Sequence, residues 1–294
     1  MQRITKRLSI IFLCFLSIGM FFVIELTLKN YLSGQTVTVA SKNFTEQEIL
    51  GEIISIVLEE KGDIKVKRNF NLDGTLVTFH AMRSNSIDIW PAYTGTALIE
   101  ILKEEDVKGK DLEWLRKEYL KKFDIEWIEP LGCENHYVFL VDQDSPITTL
   151  QELANQAKVK IGMGPEFIAR PEYKMICKAY QMQSKPLSLE DSLIYMALEK
   201  GNIDAGLGYS TDGRIDKYNL RVLEDDKYVL PSYEVAPVVR GEILKKHPQI
   251  RTLLLELQGS LTNETMQELN TQVDSDHKRP YDVARAFLVE NGFL

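Results

Sequence analysis

Ile87-Asp88-Ile89-Trp90-Pro91-Ala92-Tyr93-Thr94-Gly95-Thr96-Ala97-Leu98 puts an aromatic ring, two small hydroxyls and a glycine at the end of a short apolar strand. Ile87 and Ile89 alternate with Asp88 and Trp90 at the period of a strand, Pro91 is expected to end the pairing, and Thr94 opens a helical run through Ala97, Leu98 and Ile101. Tyr93 therefore stands where a strand hands over to a helix. In open α/β sheets ligands collect at the carboxyl ends of strands, and the free N–H groups of the helix start that follows suit an anionic group.

Outward from this point, strands and helices alternate, the pattern of an α/β chain with largely parallel sheets. Residues 37–40 and 64–70 read as strands, and 74–84 as a helix. Thr45 with Glu48 predicts a capping box opening a helix whose Ile49, Leu50, Ile53, Ile54 and Val57 share one face, closed by Gly62. Residues 103–128 are charged and helical, with Trp114, Leu115, Tyr119 and Leu120 as the expected buried side. Strands follow at 137–141, 159–163 and 203–208, with a helix capped by Thr149 and Glu152 and another over 191–200. Residues 235–240 form a return strand, and the rest is helical over 248–258, 263–273 and 280–290.

Several strings in this frame are collinear with one family. Residues 87–98 resemble IDxYPEYTGTAL, Val39-Ala40-Ser41-Lys42-Asn43-Phe44-Thr45-Glu46-Gln47 resembles GSKNFTEQ, and Tyr209-Ser210-Thr211-Asp212-Gly213-Arg214-Ile215 resembles YSTDGRI. Pro165-Glu166-Phe167, Ser232-Tyr233 and Ala236-Pro237-Val238-Val239-Arg240 add weaker matches in order. The chain over 36–294 thus resembles the substrate-binding proteins of osmoprotectant importers, the glycine betaine, choline and carnitine receptors of ATP-binding cassette (ABC) systems. The resemblance implies a type II periplasmic-binding-protein fold: α/β, two-lobed and hinged, with 36–140 plus 238–294 as lobe 1 and 141–237 as lobe 2; the chain's own N-terminal apolar run adds a hydrophobic helix before it. The resemblance also implies ABC permease subunits and a cytoplasmic ATPase as partners.

A quaternary ammonium cannot donate a hydrogen bond, so such a solute is recognised by aromatic faces, each contributing about 0.5 to 2 kcal/mol. Tyr93, Tyr137, Tyr209 and Tyr233 lie at strand ends or between lobes and are the expected ligand-binding box; the alternative for each is a core-capping tyrosine. A carboxylate on the solute needs donors, for which Gln47, Thr94, Gly95, Thr96 and Asn135 are candidates, with plain helix capping as the alternative. Asp212 and Arg214 read as a lobe-stabilising pair. Trp90, Ala92, Asp73 and Cys133-Glu134 depart from the family pattern beside the expected pocket, which opens a second solute class: another small zwitterion, ergothioneine-like or an amino-acid derivative. A non-transport surface-binding protein is the remaining alternative.

At the N-terminus Arg3, Lys6 and Arg7 precede an apolar run from Leu8 to Ile24. This basic flank and membrane-seeking core make residues 1–30 a membrane anchor or a signal peptide, with the remainder at the extracytoplasmic face of the cell membrane. No A-x-A site follows, and an uncleaved anchor is the expectation. The net charge of -8 argues against nucleic acid as a partner. Cys133 and Cys177 either form a bridge or remain two thiols. There is no Gly-x-Ser-x-Gly elbow, and the four histidines lack metal-ligand spacing, so neither catalysis nor a metal or cofactor is expected.

Overall fold

The computed structural model describes residues 36–104, 106–107 and 109–294. The expected anchor or signal peptide at 1–30 lies outside the described residues, among which no helix is long and apolar enough to cross a membrane. Two five-stranded sheets organise the chain. The first contains β1 (Val37–Lys42), β2 (Val66–Leu72), β3 (Ile89–Tyr93), β4 (Ile125–Trp127) and β10 (Val235–Arg240), in the order β2-β1-β3-β10-β4. The second contains β5 (Tyr137–Asp142), β6 (Ile161–Met163), β7 (Leu187–Ser188), β8 (Ala205–Tyr209) and β9 (Leu220–Val222), in the order β7-β6-β8-β5-β9.

Both sheets are mixed rather than largely parallel. β1 runs parallel to β2 and β3, but β10 returns from the second sheet and pairs antiparallel with β3 and β4. Likewise β5, arriving from the first sheet, lies antiparallel to β8 and β9. A strand that enters from another sheet is free of the same-direction constraint that a helical crossover imposes. The two connecting segments also hydrogen-bond to each other, with Leu131 N–H donating to Val235 O (2.9 Å) and Asn135 N–H to Tyr233 O (3.2 Å). The lobe divisions expected at 140/141 and 237/238 fall inside β5 and β10.

The helix Thr45–Glu60 is buried along nearly its whole length. One side of it meets the first sheet, and the other meets Leu253, Leu254, Val283 and Phe287 of the C-terminal helices in one continuous core. A helix enclosed on both sides is apolar beyond a single stripe, and Ile56 and Leu58 are indeed buried too. Trp90 and Ala92 alternate to the opposite face of β3 and pack with Phe79, Met82, Tyr119 and Trp127.

Four local expectations are corrected. Pro91 does not end β3, which reaches Tyr93: Pro91 sits opposite Pro237 of β10, so neither ring removes a ladder donor the other needs, and on its far side the Pro91 carbonyl accepts from Gln47 Nε2 at 2.8 Å. Thr45 and Glu48 form no capping box, because Phe44 is the N-cap and the Thr45 hydroxyl donates to Asp274 Oδ1 at 2.5 Å. Leu120 is half exposed, leaving Leu115 and Tyr119 as the buried positions of the helix Leu112–Phe123. The expected helix after Tyr93 is a three-residue α turn, Thr94–Thr96, running into a π turn, Ala97–Ile101. Cys133 and Cys177 are unpaired thiols.

Candidate functional site

The two sheets turn the ends of β1, β3, β5 and β8 toward one cavity of about 640 Å³, whose wall includes Lys42, Phe44, Glu46, Tyr93, Thr96, Asn135, Tyr137, Asp191, Tyr209, Thr211 and Tyr233. Tyr93 is the last residue of β3. Tyr137 and Tyr209 are direct cross-strand partners at the cleft end of the β5–β8 ladder, which sets their rings 5.5 Å apart. Tyr233 comes from the second connecting segment and meets Tyr137 edge to face at 5.6 Å and 87°. Its ring lies where a side chain on residue 95 would stand, since a Cβ on Gly95 would come within 2.7 Å of Tyr233 Cε1. Glycine in the TGT string therefore makes room for an aromatic wall.

Three of the four tyrosine hydroxyls are engaged. Tyr93 OH donates to Glu46 Oε1 at 2.5 Å, Tyr209 OH to Asp191 Oδ2 at 3.3 Å, and Tyr233 OH to Glu172 Oε1 at 3.3 Å. Burial pushes the Tyr93, Tyr137, Tyr209 and Tyr233 hydroxyls above the ordinary tyrosine range, so the rings stay neutral and keep their negative faces.

Two expected donors point elsewhere. The Gln47 side chain is fully buried and spends itself between β1 and β3, accepting from Lys42 N–H at 3.2 Å and donating to Pro91 O. Thr94 donates its hydroxyl to Ser232 O at 3.0 Å and its N–H to Glu234 O at 3.0 Å, so the helix start is closed by the connecting segment. Thr96 and Asn135 do reach the cavity wall. Asn135 Nδ2 donates to Glu46 Oε1 at 3.0 Å, while its Oδ1 is buried without a hydrogen-bond partner among the described residues. Asp212 and Arg214 form the expected pair at 2.6 Å on the cavity wall, with the guanidinium 4.1 Å from the Tyr195 ring centroid.

The structure adds residues that the sequence reading passed over. Lys42, at the end of β1, holds its ammonium 5.0 Å from the Phe44 ring centroid and 5.1 Å from that of Tyr93, and Phe44 in turn stacks on Tyr93 (6.4 Å) and Tyr209 (6.3 Å). This ammonium has no hydrogen-bond acceptor among the described residues. Burial and the nearby Arg170 guanidinium push Lys42 down to about 8, against the opposing pull of Glu166, Glu100 and Glu46. Arg170, itself buried, pairs with Glu172 at 2.6 Å and Glu100 at 2.9 Å and lies 5.3 Å from the Tyr137 centroid. Lys42, Phe44 and Glu46 belong to the quoted string at the junction of β1 and the first helix, where two charged side chains flanking an aromatic ring were the available signal. Arg170 had none, because Glu100, with which it pairs, is 70 positions away in the chain.

The resulting chemistry is a π-rich wall beside an ammonium with spare donors, groups able to attract a cation and an anion respectively. The chain is similar to three known proteins over most of its length. The carnitine transport binding protein OpuCC of Listeria monocytogenes is 34% identical over 299 residues, covering 94% of this chain and 97% of that protein. The ergothioneine transport permease/ergothioneine binding protein EgtU of Helicobacter pylori is 33% identical over 272 residues, 90% of this chain and 49% of that longer protein. A crystal structure of a glycine betaine/carnitine/choline ABC transporter superposes with a TM-score of 0.75 at 30% identity, covering 87% of this chain and 99% of that one. With a family model matching residues 35–290, the chain belongs to the family of the substrate-binding domain of the ABC-type glycine betaine transport system.

Proposed function

We propose that this chain is the extracytoplasmic receptor of an ABC importer, that it closes its two lobes on a zwitterionic quaternary amine such as glycine betaine or carnitine, and that it delivers the solute to permease subunits driven by a cytoplasmic ATPase. The observation that carries the reading is the convergence of Tyr93, Tyr137, Tyr209 and Tyr233, drawn from both sheets and a connecting segment, on one cavity. The trimethylammonium group lies against these faces, and the solute carboxylate takes the spare N–H donors of Lys42 with Thr96 beside it. Lobe 1 is built on the first sheet and lobe 2 on the second, with the paired connecting segments as the hinge. Residues 1–30 hold the receptor at the outer face of the membrane as an uncleaved anchor.

Titration calorimetry on residues 36–294 with glycine betaine, carnitine, choline and ergothioneine tests this reading, and ergothioneine is included because of the similarity to the H. pylori protein. The expected result is one-to-one binding of a zwitterion, with about 2.7 kcal/mol of added stability when the ligand is at 100 times its dissociation constant. A protein that none of these solutes stabilises is not a receptor of this class.

A further inference from the structure

Glu46 is a carboxylate only 2% exposed, and the binding scheme above gives it no contact with solute. It stands in the first turn of the helix Thr45–Glu60, where the N-terminal end of the helix dipole favours negative charge. Three segments donate to it: Tyr93 OH from the end of β3, Asn135 Nδ2 from the first connecting segment, and Thr211 Oγ1 from the turn after β8. Its partner ring, Tyr93, already carries a cation, the Lys42 ammonium at 5.1 Å.

A phenol that donates to a carboxylate shifts electron density into its ring, and a more negative ring face attracts a cation more strongly. Burial, followed by the Glu46 charge, pushes the Tyr93 hydroxyl well up, so the proton stays on tyrosine and the bond remains a charge-assisted O–H donation. We infer that Glu46 is the charge-selecting residue of the site: acting through the Tyr93 hydroxyl, it makes that ring the wall that distinguishes a cationic headgroup from a neutral one of the same shape. The inference rests on the proposed solute class and assigns a role to a residue that does not touch the solute.

The test compares glycine betaine with the tert-butylacetate anion, in which carbon replaces the quaternary nitrogen and only the positive charge is lost. Affinities for both are measured on wild type, Glu46→Gln and Tyr93→Phe. Glu46→Gln keeps the side-chain volume and removes the charge, and Tyr93→Phe keeps the ring and cuts its link to Glu46. Both substitutions are expected to lower the ratio of betaine to tert-butylacetate affinity by about 3-fold or more. A role for Glu46 in holding the site together, and nothing else, would weaken the two ligands in proportion and leave the ratio unchanged, which overturns the inference. A ratio that falls in Glu46→Gln but not in Tyr93→Phe also overturns it, since the effect would then bypass the ring. Should Glu46→Gln fail to fold, Tyr93→Phe decides alone. If wild type binds neither ligand, the proposed solute class fails first, and that outcome is distinct from an unchanged ratio.

Discussion

Gly95 shapes the cavity without lining it, by leaving room for the Tyr233 ring. A methyl group at residue 95 would stand 2.7 Å from Tyr233 Cε1 and 2.8 Å from Ser232 O, so Gly95→Ala must displace the Tyr233 ring, whose edge contact with Tyr137 shapes the box. Over-packing of this kind costs about 1 to 3 kcal/mol of stability. The expected binding loss is that of one aromatic wall, about 5- to 30-fold, read by calorimetry beside a melting curve. Tyr93→Leu removes the π face itself and is expected to weaken the solute to the same degree, and equal affinity for wild type and Tyr93→Leu would remove the aromatic mechanism. That the four tyrosines reach one cavity was legible in the sequence because each lies at or beside a strand end: Tyr93 and Tyr209 close β3 and β8, Tyr137 opens β5, and Tyr233 stands just before β10. Gln47 and Thr94 misled for a physical reason: a polar side chain at a strand-to-helix junction serves a ligand or the backbone equally well by composition. Here Pro91 O and Ser232 O, brought close only by the fold, claimed both.

The same ambiguity recurs in the helix caps. Thr45-x-x-Glu48 and Thr149-x-x-Glu152 carry one pattern, yet only Thr149 makes the reciprocal bonds of a capping box, accepting from Glu152 N–H at 3.2 Å while Glu152 Oε2 accepts from Thr149 N–H at 3.3 Å. Thr45 is drawn away by Asp274, 229 positions later, at the end of the helix Asn263–Asp274 that packs beside it. Thr149→Ala is therefore expected to cost about 1 kcal/mol in urea denaturation, the loss of an N-cap. Thr45→Ala should cost less, because it forfeits one exposed side-chain bond and no cap. A larger loss for Thr45→Ala would show that the contact between these two helices is what that hydroxyl stabilises. Most elements were readable from apolar period, but β4 falls inside the stretch expected to be helical, and the helices Pro165–Ala169 and Pro171–Tyr180 were not anticipated, although each carries its proline at the first turn of a helix.

At the scale of the whole molecule, periodicity could supply strands and helices but not the mixed sheets, because direction is set by which sheet a strand comes from. The resemblance supplied what periodicity could not, a two-lobed fold, and the cavity lies where Lys42 is close to Arg170 as well as Glu46, Glu100 and Glu166. This charge set makes binding pH-dependent in a definite sense. In the free protein the Lys42 ammonium is disfavoured relative to the unfolded chain, so between about 8 and the ordinary lysine value of 10.5 the unfolded chain holds the extra proton. Stability of the free protein should therefore rise with pH across this window, relative to Lys42→Met. A bound carboxylate reverses the preference by giving the ammonium an acceptor. If the solute requires the charged form, its affinity scales with the protonated fraction, which at pH 9.5 has fallen to about one thirtieth of its low-pH value for a group titrating near 8. Glycine betaine affinity is thus expected to drop by up to about 30-fold between pH 7 and pH 9.5 in wild type and to stay level in Lys42→Met, whose binding is weaker throughout. Choline, which has no carboxylate, should show the opposite trend, gaining affinity as the competing ammonium on the Tyr93 face is neutralised. Calorimetry of both solutes at the two pH values gives the result directly: parallel pH profiles for betaine and choline would mean that Lys42 does not hold the carboxylate.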